Sequence, residues 1–220
     1  MFMERYVMQY FDLINKCLVE LNYKKVSDFR ELTKNDHLKI KNILNIVNAE
    51  ICACDDWNFL LRKTTLTLPS GVCEMKNSIN GRIKTLSIDN SKYNFSEDYE
   101  QFLFNRTKDK TYSILNDMLL LPAFNTEKTL NIVYYTNNFS KSSENEEKMQ
   151  MSVETDETLI PDPFAEPLLV YGTCMKMKAN LEYPKFNYWN AMYNKSLANL
   201  RSKLCTASSQ NPEIRINGVF

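Results

Sequence analysis

The residues of this chain whose types could do chemistry are two pairs of adjacent acids, Asp55-Asp56 and Glu97-Asp98, the single histidine His37, and the closely spaced Cys52-Ala53-Cys54. Paired carboxylates serve hydrolysis as general acid and base or nucleophile, provided that both face one substrate. Adjacent residues on a helix or strand point apart, so these pairs read as solvated surface acids. A histidine-dependent triad would have to use His37, which sits at a Lys/Asn/Asp-rich helix start with no Ser or Cys singled out beside it. Zinc sites usually show two ligand pairs, whereas here one pair stands alone with a single residue between its cysteines. The six cysteines (Cys17, Cys52, Cys54, Cys73, Cys174, Cys205) are scattered along the chain and read as small buried hydrophobes. The four glycines, Gly71, Gly81, Gly172 and Gly218, are isolated, so no phosphate loop is present. The sequence assigns no catalytic residue, no metal ligand and no cofactor site.

The elements that would position any site point elsewhere. A chain of 220 residues with 44% apolar content can bury one core, or a core with a subdomain. Its formal charge is zero, which removes the electrostatic basis for tight nucleic-acid or anionic-membrane binding. No run reaches the roughly 18 apolar residues of a membrane span, and Met1-Phe2-Met3-Glu4-Arg5 puts an acid where a signal peptide needs basic then apolar residues. A cytoplasmic product is expected.

The first helix is expected from Met3 to about Leu21, with Val7, Phe11, Ile14, Leu18 and Leu21 along one face. A second starts near Asn35-Asp36, with Thr33 and Asp36 as a capping box, and continues through Ile40, Ile43, Leu44, Val47 and Ile51. Beyond Trp57 the period shortens. Strands are expected at Leu66-Thr67-Leu68, at Val72 to Met75 returning after Pro69-Ser70-Gly71, and at 82–88, 111–115, 118–121 and 129–135, with Asn80-Gly81 as a hairpin turn and a short helix near Glu97 to Leu103. From Asn137 to Glu157 acids dominate, and this run is expected to be a mobile loop whose residues 142–154 can be deleted with little effect on stability. The segment Ile160-Pro161-Asp162-Pro163-Phe164 then leads into a helical hairpin. Its second helix starts after Pro184 and spaces Phe186, Trp189, Tyr193, Leu197, Leu200 and Leu204 by three or four residues, so one aromatic face must pack. In the tail, Ile214 and Ile216 alternate with polar residues and the chain ends on Val219-Phe220, the pattern of an extended docking segment.

The resulting fold class is α+β: a helical bundle from the N- and C-terminal helices with a small, mostly antiparallel β insert. Its parts are N-terminal helices over 1–60, the insert over 61–136, the acidic loop over 137–157, the helical hairpin over 158–207 and the docking tail over 208–220.

In order, Ile43-Leu44-Asn45-Ile46-Val47, Asp56-Trp57-Asn58-Phe59-Leu60, Leu66-Thr67-Leu68-Pro69-Ser70-Gly71, Ile132-Val133-Tyr134-Tyr135, Ile160-Pro161 and Tyr188-Trp189-Asn190-Ala191-Met192-Tyr193 resemble the motif succession of head-to-tail adaptor (connector ring) proteins of short-tailed, podovirus-like bacteriophages. The Met, Asn, Lys and Tyr richness is reminiscent of crAss-like phages and their ring proteins. The likeness runs from about Leu38 to Leu204. It implies a virion protein of the neck, made in the bacterial cytoplasm, that forms a homo-oligomeric, dodecameric ring under the portal protein, joins a downstream tail, nozzle or ring protein, and passes genomic DNA without sequence specificity. The acidic run would then repel DNA in the channel, and Ile214, Ile216, Val219 and Phe220 would dock on the portal or a neighbouring subunit. The alternatives are a non-ring scaffold or regulatory interaction protein, and a carboxylate-dependent hydrolase.

Overall fold

A computed structural model describes residues 8–105 and 110–204. The chain forms two compact units: Met1–Phe59 together with Met151–Phe220, and Leu60–Gln150.

In the first unit, α1 (Tyr10–Glu20) buries Tyr10, Leu13, Ile14, Cys17 and Leu18. The buried face is thus centred slightly off the expected stripe, and Phe11 is only half-buried. α1 ends because Asn22 takes a left-handed φ of 62°. The amide of Asn22 donates to the Val19 carbonyl at 3.0 Å and that of Tyr23 to the Leu18 carbonyl at 2.7 Å, the paired bonds of a Schellman stop with Asn in the place of Gly. α2 (Asn35–Ala53) buries Ile40, Leu44, Val47, Asn48 and Ile51. The expected Thr33–Asp36 capping box does not form: Lys34 is the N-cap and no side chain caps the helix. At the far end the Trp57 indole N–H donates to the Ile51 carbonyl at 2.6 Å, and Trp57 itself is wholly buried.

α4 (Ala165–Met177) follows the proline-rich segment, and α5 (Phe186–Leu204) completes the hairpin. α4 packs on α1, α2 and α5. Its buried residues, among them Leu168, Leu169, Val170, Gly172, Thr173 and Cys174, occupy nearly every side of the helix, so it is the central helix of the unit. Each fully buried leucine or isoleucine of such a core contributes about 1.5–3 kcal/mol.

The stretch that returns the chain to this unit was expected to be solvated, and it is packed. The Asn45 side chain donates to the Met151 carbonyl at 2.9 Å and accepts from the Met151 amide at 2.9 Å. Asp156 is buried, and its Oδ2 accepts the amides of Ser152 at 2.7 Å and Val153 at 2.9 Å. Thr158 donates to Asn48 Oδ1 at 2.6 Å, and the Asp156 carbonyl accepts the first amide of α1, Tyr10, at 2.7 Å. Acidic composition misled because Asp156 is satisfied by amides of its own loop while Met151, Thr158 and the Asp156 carbonyl find partners on α1 and α2.

The second unit corrects the fold class. It holds a seven-stranded mixed sheet in the order β1-β7-β3-β4-β5-β6-β2. The strands are β1 (Leu61–Leu68), β2 (Glu74–Lys76), β3 (Gly81–Ile88), β4 (Ser91–Phe95), β5 (Thr111–Leu115), β6 (Met118–Leu120) and β7 (Lys128–Thr136), with the short α3 (Tyr99–Asn105) between β4 and β5. The fold is therefore a sheet-rich α+β fold, not a helical bundle with a small β insert. β4 and β5 run parallel, and the other neighbours in the sheet are antiparallel.

Chain connectivity forces this sheet to curl. β1 and β2 are its two edges, yet six residue steps, at most roughly 21 Å of extended chain, join Leu68 to Glu74, while seven flat strands would span roughly 29 Å. Between those edges Gly71, with φ of 74°, occupies the third position of a turn closed by the Val72 amide on the Pro69 carbonyl. Val72 to Met75 thus does not return against β1: β2 pairs with β6. Leu68, Leu86, Ile88, Tyr93, Tyr112, Leu119, Leu121, Leu130 and Ile132 form the core of the curl.

Asn80-Gly81 is not a hairpin turn either. Gly81 opens β3 opposite Thr136, where a Cβ would lie 2.0 Å from the Tyr135 carbonyl oxygen. The tight turns are Asp89-Asn90 and Asn116-Asp117, all four with positive φ. Within 137–150 of the acidic run, β8 (Ser140–Lys141) and β9 (Glu147–Lys148) form a small antiparallel ladder, and Glu147 is ion-paired with Arg62 of β1.

Replacing Asn45 by Ala should strip two hydrogen bonds from a buried backbone position and lower unfolding free energy by about 2 kcal/mol. Deleting 142–154 should destabilise further, since it removes Met151 itself. Denaturant melts check both; unchanged midpoints would mean that the fastening contributes nothing.

Candidate functional site

Two surfaces of the helical unit bear on function. The first is the hairpin. Of its six expected packing residues, Trp189 and Leu200 are buried and Phe186, Tyr193, Leu197 and Leu204 are half-buried, all on one side of α5. Trp189 stacks on Tyr183 with centroids 5.3 Å apart and donates its indole N–H to Glu20 at 3.1 Å. Lys185, just before α5, donates to the Glu20 carbonyl at the end of α1 at 2.9 Å, a cation satisfying a helix C-terminus. The close approach of α2, α4 and α5 depends on Gly172, where a Cβ would stand 2.7 Å from Val47 Cγ1 and 3.1 Å from Tyr193 Cε2. Leu181, in the turn before α5, and Tyr188 are exposed, at 74% and 52%. Tyr188 meets Tyr171 edge to face, and the bond between their hydroxyls, then burial, pushes the Tyr171 pKa upward. The docking-tail residues Ile214, Ile216, Val219 and Phe220 lie outside the described residues.

The second surface is a groove of about 670 Å³ lined by Tyr23, Lys24, Lys25, Val26, Ser27, Glu31, Lys34, Asp36 and His37. The Schellman stop turns the chain at Tyr23, and the Val26 amide ties back to Asn15 of α1 at 3.0 Å. A single 3-10 turn, Phe29–Glu31, then reverses the chain, its N-cap Asp28 accepting from the Arg30 amide at 2.8 Å. Arg30 holds the Asp28 carboxyl down to about 2. This path places three lysines around the first turn of α2. Both acids of the groove are engaged: Glu31 accepts from the Ser27 amide at 3.2 Å, and Asp36 accepts from the Tyr23 hydroxyl. His37 is only 6% exposed, and its Nδ1 has no hydrogen-bond partner. The sequence reading assigned these lysines no role. The clustering of Lys24 and Lys25 with Lys34 on either side of one short turn was the available signal.

The acid pairs have structural work. Asp55 accepts from Arg201 at 2.7 Å, and Asp98 caps α3 by accepting the Gln101 amide at 2.9 Å. Cys17, Cys52 and Cys174 are buried, and Cys205 lies outside the described residues. Burial raises the thiol pKa of Cys17 and Cys52. Partial burial, then the neighbouring Asp55, pushes the Cys54 thiol up to about 11, and it donates to the Ile51 carbonyl at 3.2 Å. Among the described residues no group of three His, Cys, Asp or Glu is placed to hold a metal ion.

Compared with known proteins, the chain matches no family model, and a search of curated proteins gives no match.

Gly172→Ala should destabilise the helical unit: overpacking costs about 1–3 kcal/mol, against a helix-propensity gain of about 1 kcal/mol. A variant unfolding at the parent midpoint would show that the helices part freely there. Cys54, although exposed as a residue, should alkylate slowly near neutral pH and speed up as pH rises toward about 11. Because the folded state holds this proton more tightly than the unfolded chain, its contribution to stability is complete below the ordinary thiol range and is lost as pH climbs through about 11. Alkylation of a Cys54→Ser control isolates the site, and a fast reaction at pH 7 would contradict the assignment.

Proposed function

We propose that the chain is a structural virion protein, a head-to-tail adaptor whose copies form a ring beneath the portal, join the capsid to the tail, and line or surround the channel through which DNA leaves. The observation that carries this reading is the large apolar side chains left exposed on the helical unit, among them Val19, Leu38, Ile46, Leu181 and Tyr188. Large apolar side chains exposed on a surface are suited to contact between copies or with another protein. A ring needs two different patches on each subunit that meet head to tail, with a rotation that closes. The motif succession supports the family reading. Trp57 seals the end of α2, Leu66 to Gly71 forms the end of β1 and its turn, and Ile132 to Tyr135 lies in β7, paired on both sides. A formal charge of zero suits a surface past which DNA must slide without sticking. No described helix is long and apolar enough to cross a membrane.

Native mass spectrometry of the chain with and without the portal of the same virus tests the reading. A ring bound to the portal is expected, and Leu181→Asp with Tyr188→Asp should weaken its assembly at least about tenfold, a loss of about 1.4 kcal/mol. A protein that stays folded yet never associates with itself or with the portal would overturn the reading in favour of a non-ring interaction protein.

A further inference from the structure

We propose that the outer edge of β1, over residues 63–68, takes residues 213–220 of a second copy of this chain as an added strand. This contact rests on the reading of the chain as a ring subunit and is one of the head-to-tail joints that such a ring needs. β1 has β7 on one side and, among the described residues, no strand on the other. In an antiparallel pair alternate residues turn their N–H and C=O away from the partner strand, so half of the residues over 63–68 hold both backbone groups toward that edge. Folds blunt such edges with short strands, prolines, bulges or charges. The opposite edge of the sheet is blunted: β2 is three residues long, and Glu74 and Lys76 are charged. β1 is not. It runs for eight residues in unbroken register with β7, contains no proline, and over 63–68 carries one charge, Lys63.

The two faces of β1 specify what fits beside it. On the face toward the core of the curl, Leu68 is buried while Thr64 and Leu66 are only half-buried, and Leu66 packs against that core. On the other face Lys63, Thr65 and Thr67 are exposed. Residues 213–220, which lie outside the described residues, repeat this division in their sequence: Ile214, Ile216, Gly218 and Phe220 fall in one phase of a strand period, and Glu213, Arg215, Asn217 and Val219 in the other. Added as a strand, the first set extends the apolar face beyond Leu66. The second lies beside Lys63 and the threonines, where Glu213 offers the opposite charge. Residues 205–212 separate this segment from α5, a spacer of up to roughly 30 Å when extended. In a ring each copy offers one such segment and one such edge, so every edge is covered by the next copy.

Fluorescence anisotropy of a labelled peptide of residues 211–220 tests this, titrated with the full chain carrying Ile214→Asp and Ile216→Asp so that its own segment does not compete. Saturable binding is expected, at least about tenfold weaker for a peptide with the same two substitutions. Hydrogen exchange measured alongside should slow at alternate amides over 63–68 and stay unchanged in β2, while β7 amides exchanging as in the parent show that the variant chain is folded. In the parent chain the same protection should be present at high concentration and fall on dilution. No saturable binding up to about 1 mM, equal binding of the two peptides, or protection that arises elsewhere than β1 would each overturn the proposal. Protection over 63–68 that persists in a diluted, monomeric parent chain would also overturn it, assigning the edge to the chain's own segment. Rings that form equally well from the variant chain would overturn this contact and leave the ring reading intact. Peptide binding at β1 by a chain that forms no ring with or without the portal would support the contact and overturn the ring reading.

Discussion

The paired hydrogen bonds between the Asn45 amide and the backbone of Met151 hold together a unit whose chain is interrupted. Polypeptide leaves the helical unit at Phe59 and comes back at Met151. Closing a loop of that length through a disordered chain would cost on the order of 4 kcal/mol and more. The sheet unit lowers that cost itself, because Leu61 at its start pairs with Tyr135 near its end and Arg62 is ion-paired with Glu147. The returning chain then needs a fixed register on α2. Asn45 supplies it one turn before Asn48 takes Thr158, and these two side chains set where Ile160 and the following helix enter the core. A side-chain amide suits this task, since it donates and accepts at once and so satisfies both backbone groups of one residue.

How much of this was legible in the sequence depended on which physical signal each element used. β5 and β7 were readable from alternation and β-branched residues, and α2 and α5 from apolar spacing. β4 was not read, because Lys92 and Asn94 flank its one buried tyrosine, and neither was the start of β1, whose Lys63 and Thr64 look like loop. Missing them made the sheet appear small. The hairpins at Asp89-Asn90 and Asn116-Asp117 carry no glycine to mark them, whereas the glycine of Asn80-Gly81 answers a close backbone approach and no turn. The acidic run failed as a composition argument. Asp156 lowers mean hydropathy like any acid, yet it is buried with its own loop amides as donors.

The candidate site divides in the same way. The apolar face of α5 followed from spacing alone, since burial of one side is a local property of a helix. The groove did not, because it arises where a Schellman stop, a 3-10 turn and a helix start fold residues 23–37 back on themselves. Lysines on either side of one short turn were the one hint of that convergence, and the type of His37 added none. His37 was rejected as a catalytic base for want of a neighbouring nucleophile, and its residue type gave no sign that its Nδ1 would be buried without a partner.

The residues that resemble a phage adaptor are largely those that make the fold: Val47, Trp57, Leu68, Ile132, Tyr135, Ile160 and Trp189 are all buried. Such positions record how a core is packed, and two chains can share them while differing in every contact they make. What a ring subunit would use is a different group of side chains, the exposed Val19, Leu38, Ile46, Leu181 and Tyr188, of which only Ile46 and Tyr188 fall within those motifs. Exposure of large apolar side chains on α1, α2, α5 and the turn before α5 costs solubility without adding to stability. Contact with another protein surface is the physical circumstance in which that exposure becomes favourable, which is why substitution of Leu181 and Tyr188 separates assembly from folding.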